Sequence, residues 1–190
     1  MNWFRTRRLA PNRKRRTMLI AMAGLPGSGK STIAQVIGSR LGASVVSVDP
    51  LEAAILKAGI DSGQPTGLAA YLVAETIAES VLASGRHVIV DAVNAVDPAR
   101  EQWVDLAERQ GVKLKFIEIS CMDPEIHRQR LENRERKLSR LSAVNRHAVE
   151  QSLEEYSPWA GPSGAVARIT IDSTQPLGSN VEIALAFLEE

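Results

Sequence analysis

Gly24-Leu25-Pro26-Gly27-Ser28-Gly29-Lys30-Ser31, followed by Thr32, spells a complete G-x-x-x-x-G-K-S phosphate-binding loop. It directly follows the apolar run Met18-Leu19-Ile20-Ala21-Met22-Ala23 and leads into Thr32-Ile33-Ala34-Gln35-Val36-Ile37. Strand, loop and helix signals fall where such a loop requires them, so an accidental glycine-rich turn is the weaker reading. Gly24, Gly27 and Gly29 let the backbone take positive φ and turn N–H groups toward phosphate oxygens with no Cβ in the way. Leu25, Pro26 and Ser28 complete the cradle. Lys30 is expected to reach the β- and γ-phosphates, and Ser31 to offer its hydroxyl to Mg²⁺. The helix expected from about Lys30 points the positive end of its dipole at the anion. One segment therefore names a ligand class, nucleoside triphosphate.

Outward from the loop, Ser44 to Asp49 reads as a short buried strand with Asp49 at its carboxyl end. Pro50 suits the first position of a following helix, which Asp49 would cap. Asp61 to Gly67 is a loop by composition, and an apolar-periodic helix is expected from Leu68 to Ala83. His87-Val88-Ile89-Val90-Asp91 has the nearly unbroken apolar pattern of a parallel strand covered on both faces, again with an acid at its carboxyl end. Helices are expected over 98–110, from Asp123-Pro124, over 143–156 and over 181–188. Further strands are expected over 114–120 and 166–171, with a Pro/Gly-rich loop over 157–164. Strands alternating with helices predict a parallel α/β sheet with right-handed crossovers. Ligands of such sheets collect at the carboxyl ends of the strands, where Gly24, Asp49 and Asp91 lie.

The chain has 190 residues, 44% of them hydrophobic, which fits one globular domain with a substantial core. Its net charge of +1 hides an asymmetry. Arg5, Arg7, Arg8, Arg13, Lys14, Arg15 and Arg16 lie ahead of Met18 with no acid among them, so residues 18–190 carry a net −6. Residues 1–17 read as a basic, disordered leader ahead of a domain over 18–190. A nucleic-acid-binding arm, a transit peptide and a true start at Met18 stand beside that reading. No run of 18 or more apolar residues marks a membrane span. Cys121 is the only cysteine, which rules out an internal disulfide and points to the cytoplasm; at a strand end it reads as a buried small hydrophobe.

Three features separate phosphoryl transfer from plain hydrolysis. Asp49, on the acceptor side, is the candidate general base for an acceptor hydroxyl, with a helix cap as the plainer alternative. Asp91 is the candidate to steady Mg²⁺ through water or to contact the acceptor. The second acid of a hydrolytic site is missing after it, which favours transfer. Asn94 either holds a polar substrate or caps a turn. Third, Arg128, Arg130, Arg134, Arg136, Lys137, Arg140 and Arg146 form the densest basic cluster outside the leader. Arg130 and Arg134, one helical turn apart, are the candidates to touch phosphate, and Arg136 to Arg140 the candidate short lid. Trp103 reads as helix packing and Trp159 as a loop anchor.

These residues together resemble the small P-loop kinases, specifically the AAA-family kinase group related to gluconate and shikimate kinases, polynucleotide kinase and chloramphenicol phosphotransferase. The resemblance covers about Met18 to Leu188. It rests first on Gly24 to Thr32, then on Val48-Asp49, Val90-Asp91-Ala92-Val93-Asn94, His127 to Arg134, Glu155 to Trp159 and Ile171-Asp172-Ser173-Thr174. It implies a five-stranded parallel sheet in the order 2-3-1-4-5, ATP with Mg²⁺, and transfer of the γ-phosphoryl group to a hydroxyl. Asp49 would be the general base, and Arg130 or Arg134 would act from the lid. Many relatives carry an arginine shortly after the second-strand aspartate, and Asp49-Pro50-Leu51-Glu52-Ala53-Ala54 has none. A neutral or amino-bearing small molecule is therefore the expected acceptor, rather than an acidic one or a nucleic acid. The rival readings are a 5′-hydroxyl kinase of nucleic acid, an ATP-dependent regulatory protein of slow turnover, and a toxin-like kinase of a sugar nucleotide.

Overall fold

The structure is a computed structural model that describes residues 17–138 and 156–190; of residues 134–138 only the helical backbone is described. The expected helix over 143–156 therefore falls, but for Tyr156, outside the described residues. So do Arg140 and Arg146.

Five parallel strands form one sheet: β1 (Met18–Ala23), β2 (Ser44–Ser47), β3 (Val88–Asp91), β4 (Lys113–Ser120) and β5 (Arg168–Asp172), in the spatial order β2-β3-β1-β4-β5. The order is the one the family resemblance implies. Around the sheet lie helices α1 (Lys30–Leu41), α2 (Val48–Lys57), α3 (Thr66–Ala83), α4 (Asp97–Gln110), α5 (Pro124–Leu138), the single turn α6 (Gly161–Gly164) and α7 (Leu177–Glu189). The turn α6 lies inside the stretch whose Pro/Gly content predicts a loop.

Strand residues alternate between two cores. Leu19, Ala21, Val88, Val90 and Phe116 pack with α3 and α4 on one face, and Ile20, Met22, Ile89, Ile117 and Ile119 with α1 and α7 on the other. Burial on both faces is why β1 and β3 read as unbroken apolar runs. A buried glycine permits the packing of α1: a Cβ on Gly38 would lie 2.6 Å from the Val45 side chain, so α1 can approach β2 only without one.

Two local expectations are corrected. β2 ends at Ser47 and α2 already begins at Val48, with Ser47 at the N-cap position. Asp49 sits in the first helical turn rather than ending the strand or capping the helix. A carboxylate there still suits the helix dipole, and Pro50, whose missing N–H is needed by no earlier turn, is tolerated two residues deeper than expected. Cys121 is half-buried rather than buried, because the chain leaves the sheet at Ser120.

Helix α3 is 18 residues long with a mean hydropathy of 1.2, enough by length and composition to cross a membrane, although its sequence contains no unbroken apolar run. Its polar residues tie it to the domain instead. Glu75 accepts from Gln102 and Arg109 of α4, and Glu79 from Gln110.

Candidate nucleotide and acceptor site

Because every strand runs the same way, the carboxyl ends of β1, β3 and β2 bring the phosphate-binding loop, Asp91 and the start of α2 to one edge of the sheet. The loop spans the turn between β1 and α1. Gly24, Gly27 and Gly29 all take positive φ, at 129°, 79° and 98°, and Gly29 is the N-cap of α1. At Gly24 the requirement is also steric, since a Cβ would stand 2.1 Å from the Ile119 carbonyl oxygen of β4. The Gly24 N–H donates to the Val93 carbonyl at 3.0 Å, which fixes the entry of the loop against the end of β3.

The other side of the loop is held by α5. His127 Nε2 lies 2.7 Å from the Pro26 carbonyl, an arrangement that needs the proton on that nitrogen. A Cβ on Gly27 would meet the Leu131 side chain at 3.0 Å. Leu25 and Pro26 therefore form the outer turn that α5 grips. Lys30 is buried in the loop and its Nζ donates to the Leu25 carbonyl at 3.0 Å. The Ser28 hydroxyl is buried beneath the loop with no hydrogen-bond partner. Ser31 and Thr32 begin α1 with exposed side chains.

Of the predicted arginines, Arg130 reaches the loop. Its Nη1 donates to Ser173 Oγ at 2.7 Å and its Nη2 to the Ser173 carbonyl at 3.0 Å. The Ser28 carbonyl lies 3.5 Å and the Cys121 sulfur 3.6 Å from Nη1. Arg128, two residues earlier and on the solvent side, is spent on Glu125 and Glu132 instead. The backbone of Arg134 continues α5 one turn beyond Arg130, and its side chain lies outside the described residues, as do those of Arg136 and Lys137. Lys30, Ser31, Thr32 and Arg130 line a cavity of about 560 Å³ whose far wall is Ser173, Thr174, Gln175 and Asn180. That wall stands on Asp172, whose carboxylate accepts from the Thr174 hydroxyl and amide and from the Met122 amide. Those bonds hold its carboxyl below the usual range, with the Thr174 hydroxyl contributing most. The only sign of the wall in the sequence is the Asp172-Ser173-Thr174 run.

On the side where the sequence leads one to expect an acceptor, Ser47 and Asp91 are register partners on β2 and β3, and the Ser47 hydroxyl donates to Asp91 Oδ2 at 3.0 Å. Asp91 is buried at 5% exposure; Asp49, just beyond, is exposed. Glu52 of α2 accepts from the Thr66 hydroxyl at 2.9 Å and pins the start of α3. Tyr71 of α3 turns its hydroxyl into the same region. Burial pushes the phenol up, the Asn94 amide that donates to it works the other way, and the charges of Asp49, Glu52 and Asp91 push it further up. The phenol therefore stays protonated. Nothing in the sequence distinguishes Tyr71 from the packing residues of α3.

A second set of residues holds the chain that returns to the sheet at Tyr156. Arg100 of α4 is fully buried and donates to the carbonyls of Asn94, Ala95, Ser157 and Pro158 and to Asp97, at 2.8 to 3.2 Å. Its guanidinium also lies 4.1 Å from the Trp159 ring, which packs edge-on against Phe116. A buried guanidinium is tolerated only when its donors are satisfied in this way. Trp159 thus anchors its loop, and Trp103 is buried helix packing.

The donor set fits a nucleoside triphosphate: a glycine cradle closed to side chains, a buried lysine, an arginine on the same cavity and a helix N-terminus behind them. Among the described residues no group of three or more His, Cys, Asp or Glu is arranged to hold a metal ion. Mg²⁺ keeps most of its waters and takes few protein ligands; Ser31, exposed at the start of α1, and, through water, Asp91 are the residues that would hold it.

A phosphate-binding loop at the carboxyl edge of a 2-3-1-4-5 parallel sheet, with a basic helix against it, defines a P-loop nucleotide-binding fold. Residues 19–159 match the AAA domain family, and the chain belongs to it. No curated protein matches the sequence. Solved structures share the fold. A gluconokinase from Sinorhizobium meliloti is 22% identical at a TM-score of 0.61, covering 92% of this chain and 93% of that one. The Mycobacterium tuberculosis APS kinase in complex with AMPPNP and APS is 19% identical at 0.61, covering 92% and 99%. Chaetomium thermophilum Kti12 in complex with ADP-AlF3 is 19% identical at 0.66, covering 88% and 97%.

Proposed function

We propose that this protein is a kinase that transfers the γ-phosphoryl group of Mg-ATP to a hydroxyl of a small-molecule acceptor. The observation that carries the reading is the cavity shared by Lys30, Ser31 and Arg130, with Asp91 at the neighbouring strand end. In the reaction the acceptor oxygen bonds to the γ-phosphorus as the bond to the β–γ bridging oxygen breaks. The acceptor proton passes to Asp49, an exposed carboxylate in the first turn of α2. Lys30 leaves the Leu25 carbonyl for the β- and γ-phosphates, and it and Arg130 offset charge on the transferring group. Mg²⁺, when bound, supplies further neutralisation of the phosphates. Arg134 is a second candidate for the same task.

The acceptor side carries Asp49, Glu52 and Asp91, and the α2 turn beside them brings no cation. A carboxylate or phosphate on the acceptor would meet repulsion there, whereas an amine would not, which supports a neutral or amino-bearing alcohol. The test is ADP release from Mg-ATP across sugars, amino alcohols, nucleosides, aminoglycosides, sugar acids and 5′-hydroxyl oligonucleotides, with Lys30→Ala and Asp49→Asn beside the wild type. The reading expects a neutral or amino-bearing compound to raise turnover well above the acceptor-free blank, and both variants to lose the increase. Selective stimulation by a sugar acid, or by an oligonucleotide, contradicts the acceptor class.

A further inference from the structure

Asn94, three residues beyond Asp91, is the one non-glycine residue with positive φ among the described residues, at 49°, and it is fully buried. Backbone strain of that kind persists only where the surroundings impose it. Each polar group of Asn94 is committed to a different element. Its Nδ2 donates to the Met22 carbonyl at 2.6 Å, near the end of β1, and its Oδ1 accepts from Trp103 Nε1 of α4 at 2.9 Å. Its backbone N–H donates to the Tyr71 hydroxyl of α3 at 3.1 Å, and its carbonyl accepts from Arg100 at 2.8 Å. The preceding carbonyl, of Val93, takes the Gly24 N–H at 3.0 Å. The end of β1 and the start of the phosphate loop are thus gripped from the β3–α4 connection at two points, Met22 and Gly24. The same connection holds the acceptor-side phenol.

We infer that Asn94 is a positioning residue: it sets the phosphate loop and Tyr71 in one register, so that a change at its side chain weakens triphosphate binding without touching the nucleotide. Asparagine suits the place because it tolerates left-handed backbone better than most residues and offers a donor and an acceptor on one side chain. Glycine would take the φ and lose both bonds. Aspartate would keep an acceptor for Trp103 and set an oxygen against the Met22 carbonyl. The inference rests on ATP being the ligand of the loop.

The experiment measures the dissociation constant of Mg-ATP by calorimetry for the wild type, Asn94→Asp, Asn94→Gly and Leu106→Ala, at a temperature where circular dichroism shows each folded. Leu106 is a fully buried apolar residue of α4 with no polar group in the network, so its variant reports the effect of lost packing alone. Asn94→Asp and Asn94→Gly are expected to bind about tenfold more weakly, the scale on which small misplacements of site groups act, and Leu106→Ala as the wild type does. If one Asn94 variant does not fold, the other carries the comparison, and Asn94→Ser replaces both if neither does. Asn94 variants that bind as tightly as the wild type, or that lose no more affinity than Leu106→Ala, overturn the inference. Failure of the functional reading looks different: the wild type then binds no Mg-ATP, or Lys30→Ala binds it equally well, and the inference falls with it.

Discussion

At Gly24 a single hydrogen atom separates a working loop from a clash, because β4 passes so close that a methyl group would overlap the Ile119 carbonyl. Gly24→Ala should lose about 3 kcal/mol from overpacking and the forbidden φ together. For a chain of this size that is roughly 6–12 °C in Tm, read by calorimetry. Asp49 makes the opposite prediction. It is exposed in the first turn of α2, so Asp49→Asn should leave Tm and ATP affinity as they are and lower kcat by about 10²- to 10⁴-fold, the usual weight of a general base. An unchanged kcat removes Asp49 from the mechanism. Residues differ in how far they can be read without a structure. Lys30, Ser31 and the three glycines are legible because the loop dictates residue type at fixed spacing. Asn94 is not, since its sequence neighbours leave open whether its amide faces a substrate or the backbone of Met22, 72 residues away. Tyr71 reads as one more apolar position on a helix.

Elements were legible where hydrophobic period and punctuation agree. β1 and β3 announce themselves as apolar runs, and Asp123 caps α5 by accepting from the amides of Glu125 and Ile126, as the Asp-Pro signal implies. The start of α2 was misplaced because Pro50 marks a helix start only to within a residue or two. The clamp between α4 and the segment from Tyr156 was not legible at all: Arg100 reads as a surface residue of a charged helix. Arg100→Met would leave four carbonyls without their donor, and a loss of about 3–5 kcal/mol is expected in chemical denaturation. Glu118 of β4 accepts from Tyr156, Trp159 and Thr170, with Arg168 nearby. Burial works against its charge, but those bonds and the arginine outweigh burial and hold its carboxyl below the ordinary value. A depressed carboxylate stabilises the fold above its unfolded pKa, about 4.3, and that contribution disappears as pH falls through the folded value. Tm should therefore drop as the medium is taken below that point, and more shallowly in Glu118→Gln. A Tm profile that the substitution leaves equally steep would show that Glu118 carries no such linkage.

For the molecule as a whole, the parallel sheet brings together at one edge residues as far apart in sequence as Lys30, Asp91, Arg130 and Ser173, and the sequence pattern predicts that edge without predicting which side chains face the cavity. Arg130 donates to Ser173 and Lys30 to Leu25; in the proposed mechanism both exchange these partners for phosphate. Mg-ATP should accordingly raise Tm in a concentration-dependent way, by an increment that Lys30→Ala abolishes. The central claim is that the γ-phosphoryl group leaves on another molecule's oxygen. The measurement that tests it most directly follows γ-labelled ATP through a single turnover in the presence of the stimulating acceptor. The account predicts label on the acceptor hydroxyl, lost in Asp49→Asn. Label recovered only as inorganic phosphate, at a rate indifferent to any acceptor, would contradict it and make the protein a hydrolase or a nucleotide-dependent switch.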